Sequence, residues 1–378
     1  MAVASGVSVA NIYYNQPILK DIAASFHATE SQVGLISMLA QIGYGLGLFF
    51  ITPLGDKINK KSLIIILLSL LLASLFSMTI ATTIFQIWVL SVLIGIFSVS
   101  VQVILPMAAS LDPVSTGKTV GTIFSGILIG ILAARVFSGM IAGWLGWRYV
   151  YGFSAIAIFS ITLLLKIYLP DVRNQFEGSY LQLLQSALYQ IRRFSLLRKV
   201  SLIGALQFGL FCSFWTTLTF HLSGAPFYFH ANIIGLFGLV AIAGALMAPI
   251  FGRQADKGST NRSLLAAISL MICSLVIMKL LPDSVVALVF AVLILDIGAQ
   301  AMQVTNVATI YSLDETSHSR INTIYMTSFF AGGALGTFVG LLCWQHGGWS
   351  WVTDQMVLWA LVILAIVISG KTSATKKE

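Results

Sequence analysis

Residues 52–62 read TPLGDKINKKS, and residues 252–262 read GRQADKGSTNR. The Asp56-Lys57 of the first stretch returns two hundred positions later as Asp256-Lys257, and each is followed by a Ser-Leu pair that opens a long apolar run. Two other features keep nearly the same offset: Lys118 corresponds to Arg320, and Gly146-Trp147 to Gly348-Trp349. Self-similarity at one long, fixed period means a chain made of two equivalent halves.

Composition says what each half is. Of 378 residues, 58% are hydrophobic and 9% charged, with a mean hydropathy of +0.93, the profile of a chain that lives in lipid. Apolar runs separated by Gly, Pro or charge clusters predict twelve transmembrane helices, at about 2–22, 32–54, 62–83, 84–110, 119–143, 147–169, 200–221, 232–251, 263–281, 285–311, 321–345 and 350–369. The expected fold is an all-α integral membrane protein of two pseudo-symmetric six-helix bundles, 1–169 and 200–370. A linker over 170–199 joins them and a tail over 371–378 follows. Parallel repeats of this kind put a binding site near the midplane where the halves meet.

The basic residues orient the chain. With both termini in the cytosol, the inner loops collect the lysines and arginines around 57–61, 118, 192–199, 253–262, 320 and 371–377. Only Lys20, Arg148 and Lys279 fall outside, and Arg135 lies within a span, so the bias sets this topology. The formal net charge of +8 therefore reflects topology, and no nucleic-acid partner is expected. Cys212, Cys273 and Cys343 lie in apolar runs without metal-ligand spacing and read as small packing residues. No HExxH motif, glycine–serine–glycine elbow or histidine cluster suggests an enzyme, a metal or a cofactor. A receptor or scaffold would need more than the roughly thirty-residue linker outside the membrane. The start lacks a basic n-region and a cleavage site, and Met1 falls inside the first span; a start codon further upstream would lengthen that span's unflanked cytosolic end. The second half of the linker, YLQLLQSALYQIRRFSLLRKV, puts Leu181, Leu184 and Leu188 on one face and ends in four cations. It reads as an interfacial amphipathic helix on the cytosolic leaflet.

Two charges stand inside spans. Asp296 lies in LILDIGAQAMQVTNVATIY, residues 293–311, where Gln300 and Gln303 share its helical face within about 60°. Arg135 lies in GTIFSGILIGILAARVFSG, behind a ridge of Gly126, Gly130 and Ala134 suited to close helix packing. An isolated charge at membrane depth costs several kcal/mol, so it pairs or lines a wet cavity. The other acids of the first half lie at membrane ends or loops, which makes Arg135 and Asp296 natural partners for each other. Separate satisfaction by amides, carbonyls or water remains open. Asn11, Tyr14, Asn15, Gln16, Gln41, Gln102 and Gln207, with Gln300 and Gln303, are the candidate polar lining of the cavity.

These features resemble the major facilitator superfamily over nearly the whole chain. Its loop pattern is glycine, three residues, aspartate, a basic residue, any residue, glycine and two basics. TPLGDKINKKS matches it except at Thr52 and Asn59, and the C-terminal counterpart keeps Gly252, Asp256 and Lys257. ANIYYNQPIL, SGILIGILAARVFSG and GWRYVY look most like bacterial efflux carriers of the drug–proton and arabinose-efflux-like group. The resemblance implies a monomer in the bacterial inner membrane, working by alternating access, with helices 1, 4, 7 and 10 around the cavity. It implies that Asp56 clamps a cytosolic gate, with Lys57, Lys60 and Lys61 beside it. Two departures bear on mechanism: Ser91 replaces the helix 4 arginine found in many antiporters, and Ile131 replaces the helix 5 proline. The expected function is proton-coupled export of a small organic solute, energised by the proton gradient, with Asp296 as proton carrier. The alternative is uncoupled uptake or facilitated passage, with Arg135 binding an anionic substrate.

Overall fold

The computed structural model describes residues 1–111, 116–171, 178–246, 260–314 and 317–374. Every regular element among them is helical. Nine of these helices are long and apolar enough to cross a membrane. They include α3 (Glu30–Phe50), α4 (Lys60–Thr79), α7 (Thr116–Leu145) and α8 (Trp147–Tyr168). In the second half they include α10 (Ser195–Ser223), α12 (Thr260–Leu280) and α13 (Val285–Tyr311). Helix 4 of the sequence reading comes as α5 (Ile84–Ser98) followed by α6 (Ser100–Leu111). Helix 8 is described over α11 (Ala231–Leu246). Helices 11 and 12 run on as α14 (His318–Ala374), interrupted at Gly348. Local chemistry sets the starts. Thr29 with Gln32 and Thr83 with Gln86 form capping boxes, and Ser284 and Asn59 accept from the first-turn amides of α13 and α4.

The first predicted span is not one α-helix. It runs as α1 (Ala2–Ala10), a turn, a 3-10 segment at Gln16–Ile18, and α2 (Leu19–Phe26). Pro17 has no amide to donate and crowds the carbonyl four residues back. The backbone tightens instead: Ile12 bonds to Val9, Tyr13 to Ala10, Gln16 to Tyr13 and Ile18 to Asn15, all three residues back. The linker helix is α9 (Tyr180–Arg193). Leu181 and Leu188 are exposed on it as expected, but Leu184 is buried beside Leu183. At 100° per residue Leu184 stands about 60° from Leu181, enough to turn it inward.

The chain forms two compact units, 1–186 with 229–238, and 187–228 with 239–378. Within the first, α1 packs on α7, α3 on α5, and α4 on α8. Within the second, α10 packs on α14 and α12 on α13. The repeat reappears in how the helices touch. A Cβ on Gly130 would lie 2.2 Å from the Gly6 carbonyl oxygen, and one on Gly336 would lie 2.0 Å from that of Gly209. In each unit the first helix therefore meets the fifth backbone to backbone, as the small-residue ridge at Gly126 and Gly130 predicts. Gly146 and Gly348, the glycines of the repeated Gly-Trp pair, take φ of 101° and 60°, a region that only glycine enters freely.

Candidate functional site

The turn that follows α1, with the 3-10 segment after it, organises the polar residues of the first unit. Residues 11–16, the turn after α1 and the first residue of the 3-10 segment, divide their polar side chains among three helices. Asn11 and Tyr14 both reach α8. The Ser154 hydroxyl donates to Asn11 Oδ1 at 2.7 Å and also hydrogen-bonds Tyr14. Asn15 faces α3, where the Ser37 hydroxyl donates to its Oδ1 at 2.6 Å. Tyr13 and Gln16 both reach α7: Arg135 Nε donates to Gln16 Oε1 at 2.7 Å, and its guanidinium lies 5.3 Å from the centre of the Tyr13 ring. The amide nitrogens of Asn11 and Asn15 turn back onto the carbonyls of Val7, Ser8 and Ile12.

Four sequence-predicted residues, Asn11, Asn15, Gln16 and Arg135, are thus each hydrogen-bonded inside the unit. Each is nearly inaccessible, Arg135 at 1%. The ridge geometry had set Arg135 on the side of α7 away from α1. That holds for α1 itself, but the chain continues past Ala10, and the tightened segment carries Tyr13 and Gln16 round to the arginine. The opposite edge of α7 meets the start of α11, where a Cβ on Gly139 would lie 2.4 Å from the Ala231 carbonyl oxygen. Gln102 is placed elsewhere, donating to the Tyr44 hydroxyl at 3.1 Å, and Gln41 is buried on α3.

In the second unit Asp296 is 1% exposed on α13. Its polar face is tied to both neighbouring helices. One turn beyond it, the Ala299 carbonyl accepts from Gln207 Nε2 of α10 at 3.3 Å. Further along, Gln303 Oε1 accepts from the Tyr325 hydroxyl of α14 at 2.8 Å. Gln300, between them on the same face, is half-exposed. The second unit also repeats the Asn11–Ser154 bridge with the roles exchanged: Ser213 of α10 donates to Gln355 Oε1 at 2.8 Å. Position 213 lies 202 residues after Asn11, and 355 lies 201 after Ser154, the offset of the other repeats.

Of the gate residues, Asp56 closes a short 3-10 segment over Thr52–Asp56 and is half-buried. Lys57 is exposed, and Lys60 and Lys61 lie in the first turn of α4. Asn59, where the loop pattern has its second glycine, caps α4 by accepting from Ser62 N at 3.1 Å and donates to Asp171 at 3.1 Å. Gly252, Asp256 and Lys257 lie outside the described residues. Sequence reasoning missed Ser154, Ser37, Tyr13, Tyr44 and Tyr325. A lone serine or tyrosine in an apolar helix carries no signal by itself, although the 201-residue offset from Ser154 to Gln355 marks the bridge that Ser154 makes. Ser154→Ala is expected to destabilise the protein by about 1–2 kcal/mol, because two polar partners lose their bond in a medium without water. Thermal unfolding in detergent reads this against Ser160→Ala, whose hydroxyl is exposed and bonds only within its own helix.

Comparison with known proteins agrees with this architecture. The model of the Major Facilitator Superfamily matches residues 1–337. Uncharacterized transporter YgaY of Escherichia coli O157:H7 is 38% identical over 368 residues, covering 97% of this chain and 93% of its own length. The protein named Probable transporter SCO4007, from Streptomyces coelicolor, is 27% identical over 364 residues, 96% of this chain and 84% of its own. Among solved structures, the nucleoside transporter NupG superposes with a TM-score of 0.72 at 13% identity, over 97% of both chains. A bacterial homologue of the human lysosomal transporter Spinster superposes with a TM-score of 0.73 at 14% identity, over 97% of this chain and 94% of its own. At such identities the structures speak for the fold alone.

Proposed function

This chain belongs to the Major Facilitator Superfamily, and from that premise we propose that it is a secondary active transporter coupling proton entry to the export of a small organic solute. That it is a multi-pass membrane transporter of a small-molecule solute follows from the family. The observation that carries the finer reading is Asp296, a carboxylate 1% exposed within a membrane-crossing helix. Such a group is costly while charged unless it pairs or lines a wet cavity, and a proton taken up during the cycle would neutralise it. In this reading Asp296 takes a proton from the periplasm, which weakens its attraction to Arg135 and frees the halves to rock. Proton release to the cytosol restores the attraction. The proposal includes twelve spans in two six-helix bundles, 1–169 and 200–370, with both termini on the cytosolic side of the inner membrane. It takes the protein as a monomer, gated at the loop that bears Asp56.

Flux in proteoliposomes under an imposed pH gradient tests it, across neutral, cationic and anionic organic solutes. The account requires at least one class to be carried against its gradient, and flux indifferent to pH for every carried solute would refute coupling. A second reading is favoured by the polar niche of Arg135, where Gln16 and Tyr13 hold the guanidinium in place. There the arginine is the counter-charge of an anionic substrate. Arg135→Gln is then expected to raise the apparent Kd for anionic solutes about tenfold or more, with Arg135→Lys in between. Equal loss for neutral and anionic solutes would assign the residue to the coupling cycle instead.

A further inference from the structure

The linker helix α9 crosses the division of the chain: residues through Ser186 group with the first unit, and those from Ala187 with the second. Its two ends are tied to different partners. At the N-terminal end the Tyr180 hydroxyl donates to the carbonyl of Phe50. Phe50 is the last residue of α3 and stands directly before the segment that holds Asp56. Partial burial pushes the Tyr180 pKa above its ordinary value, so the hydroxyl stays a donor through the neutral range.

At the C-terminal end several attachments join residues of the second unit. Arg193 Nη1 pairs with Asp314 Oδ2 at 2.6 Å, and the same guanidinium lies 4.7 Å from the centre of the Phe194 ring. Arg198, in the first turn of α10, donates to the carbonyls of Ile191 at 2.8 Å and Arg192 at 3.4 Å. Those are among the carbonyls that a helix end leaves without an internal partner. One side chain thereby ties the end of α9 to the start of α10, and the elbow at Phe194 is fixed. On the inner face Leu183, Leu184 and Ala187 are buried, but apolar contacts are non-directional and set no register.

A continuous helix does not stretch, so any displacement of one unit against the other loads the ties at its two ends. We propose that α9 is a lever rooted in the second unit, and that the Tyr180–Phe50 bond is its latch on the helix that leads into the gate loop. Tyr180 is then a positioning residue: it favours one state of the gate and touches no solute. The consequence for transport rests on the alternating-access reading above, whereas the latch itself is tested without any transport.

The test is backbone amide hydrogen exchange on the full-length protein in phospholipid nanodiscs. Tyr180→Phe removes one hydroxyl and keeps the ring. Exchange over 178–186 is expected to rise about tenfold while exchange over 187–193 changes by less than about twofold. Asp314→Asn is expected to leave 178–186 within about twofold of the wild type. An equal rise across both halves in Tyr180→Phe would make α9 one cooperative element and overturn the proposal, as would no change over 178–186. Because no solute or proton gradient enters the measurement, a failed pH-gradient experiment and a failed latch are separate results.

Discussion

Asp296→Asn is expected to reduce pH-gradient-driven flux by about a hundredfold, to the background of empty vesicles. Asparagine matches aspartate in size and can keep the hydrogen bonds of a neutral carboxylic acid as either donor or acceptor, but it binds no proton at any accessible pH. The energy of the proton gradient reaches the protein only through a group whose protonation favours one state over another. A differential of about 2.7 kcal/mol between the states is worth about a hundredfold in their ratio, and the asparagine removes that differential entirely. Exchange of solute without a gradient is expected to survive, since the two states remain available. A variant that keeps gradient-driven flux would move the proton site away from α13. One that loses exchange as well would make Asp296 a structural or solute-binding group.

Gly336→Ala is expected to cost about 3 kcal/mol or more of stability. The added Cβ would lie 2.0 Å from the carbonyl oxygen, 2.3 Å from the carbonyl carbon and 2.4 Å from the Cα of Gly209. No flexible side chain stands there to yield, so α10 and α14 must part along their length. In lipid, helix association depends on close packing rather than on exclusion of water, and overpacking already costs 1–3 kcal/mol where side chains can shift. Gly130→Ala should behave alike in the first unit, where the Cβ would lie 2.2 Å from the Gly6 carbonyl oxygen. Gly152→Ala is the control: its nearest contact would be Thr79 Cγ2 at 3.9 Å, and an alanine in mid-helix gains up to about 1 kcal/mol over glycine. Melting midpoints in detergent and monodispersity on gel filtration separate these outcomes. A Gly336→Ala protein as stable as the wild type would show that the helices do not meet as described.

How far the sequence carried the account varies from residue to residue. Hydropathy locates spans well because about twenty apolar residues are needed to cross the bilayer. The small-residue ridge of α7 was legible because its spacing has one physical use. The long-period repeat was legible for the same reason, and its Gly-Trp pairs, glycine contacts and Ser213–Gln355 bridge carry through into the second unit. The first span was read as one helix because Asn11 to Gln16 are compatible with an α-helix. Pro17, the local cause, breaks that helix into α1, a turn and a short 3-10 segment, and so changes which residues share a face. In this arrangement Asn11, Asn15 and Gln16 tie the first span to the helices that bear Ser154, Ser37 and Arg135. Their partners could not be named in advance, because Ser37, Ser154 and Arg135 come from helices whose order of packing no local pattern encodes.

The central claim is that protons move because solute moves. It is tested most directly by recording proton uptake into proteoliposomes of the wild-type protein, with a pH dye inside and a panel of organic solutes presented in turn at zero imposed gradient. The account predicts that a solute preloaded on one side draws protons to that side as it leaves, alkalinising the other, and that Asp296→Asn silences the signal. Solute flux measured in the same vesicles with no accompanying change in internal pH would contradict it.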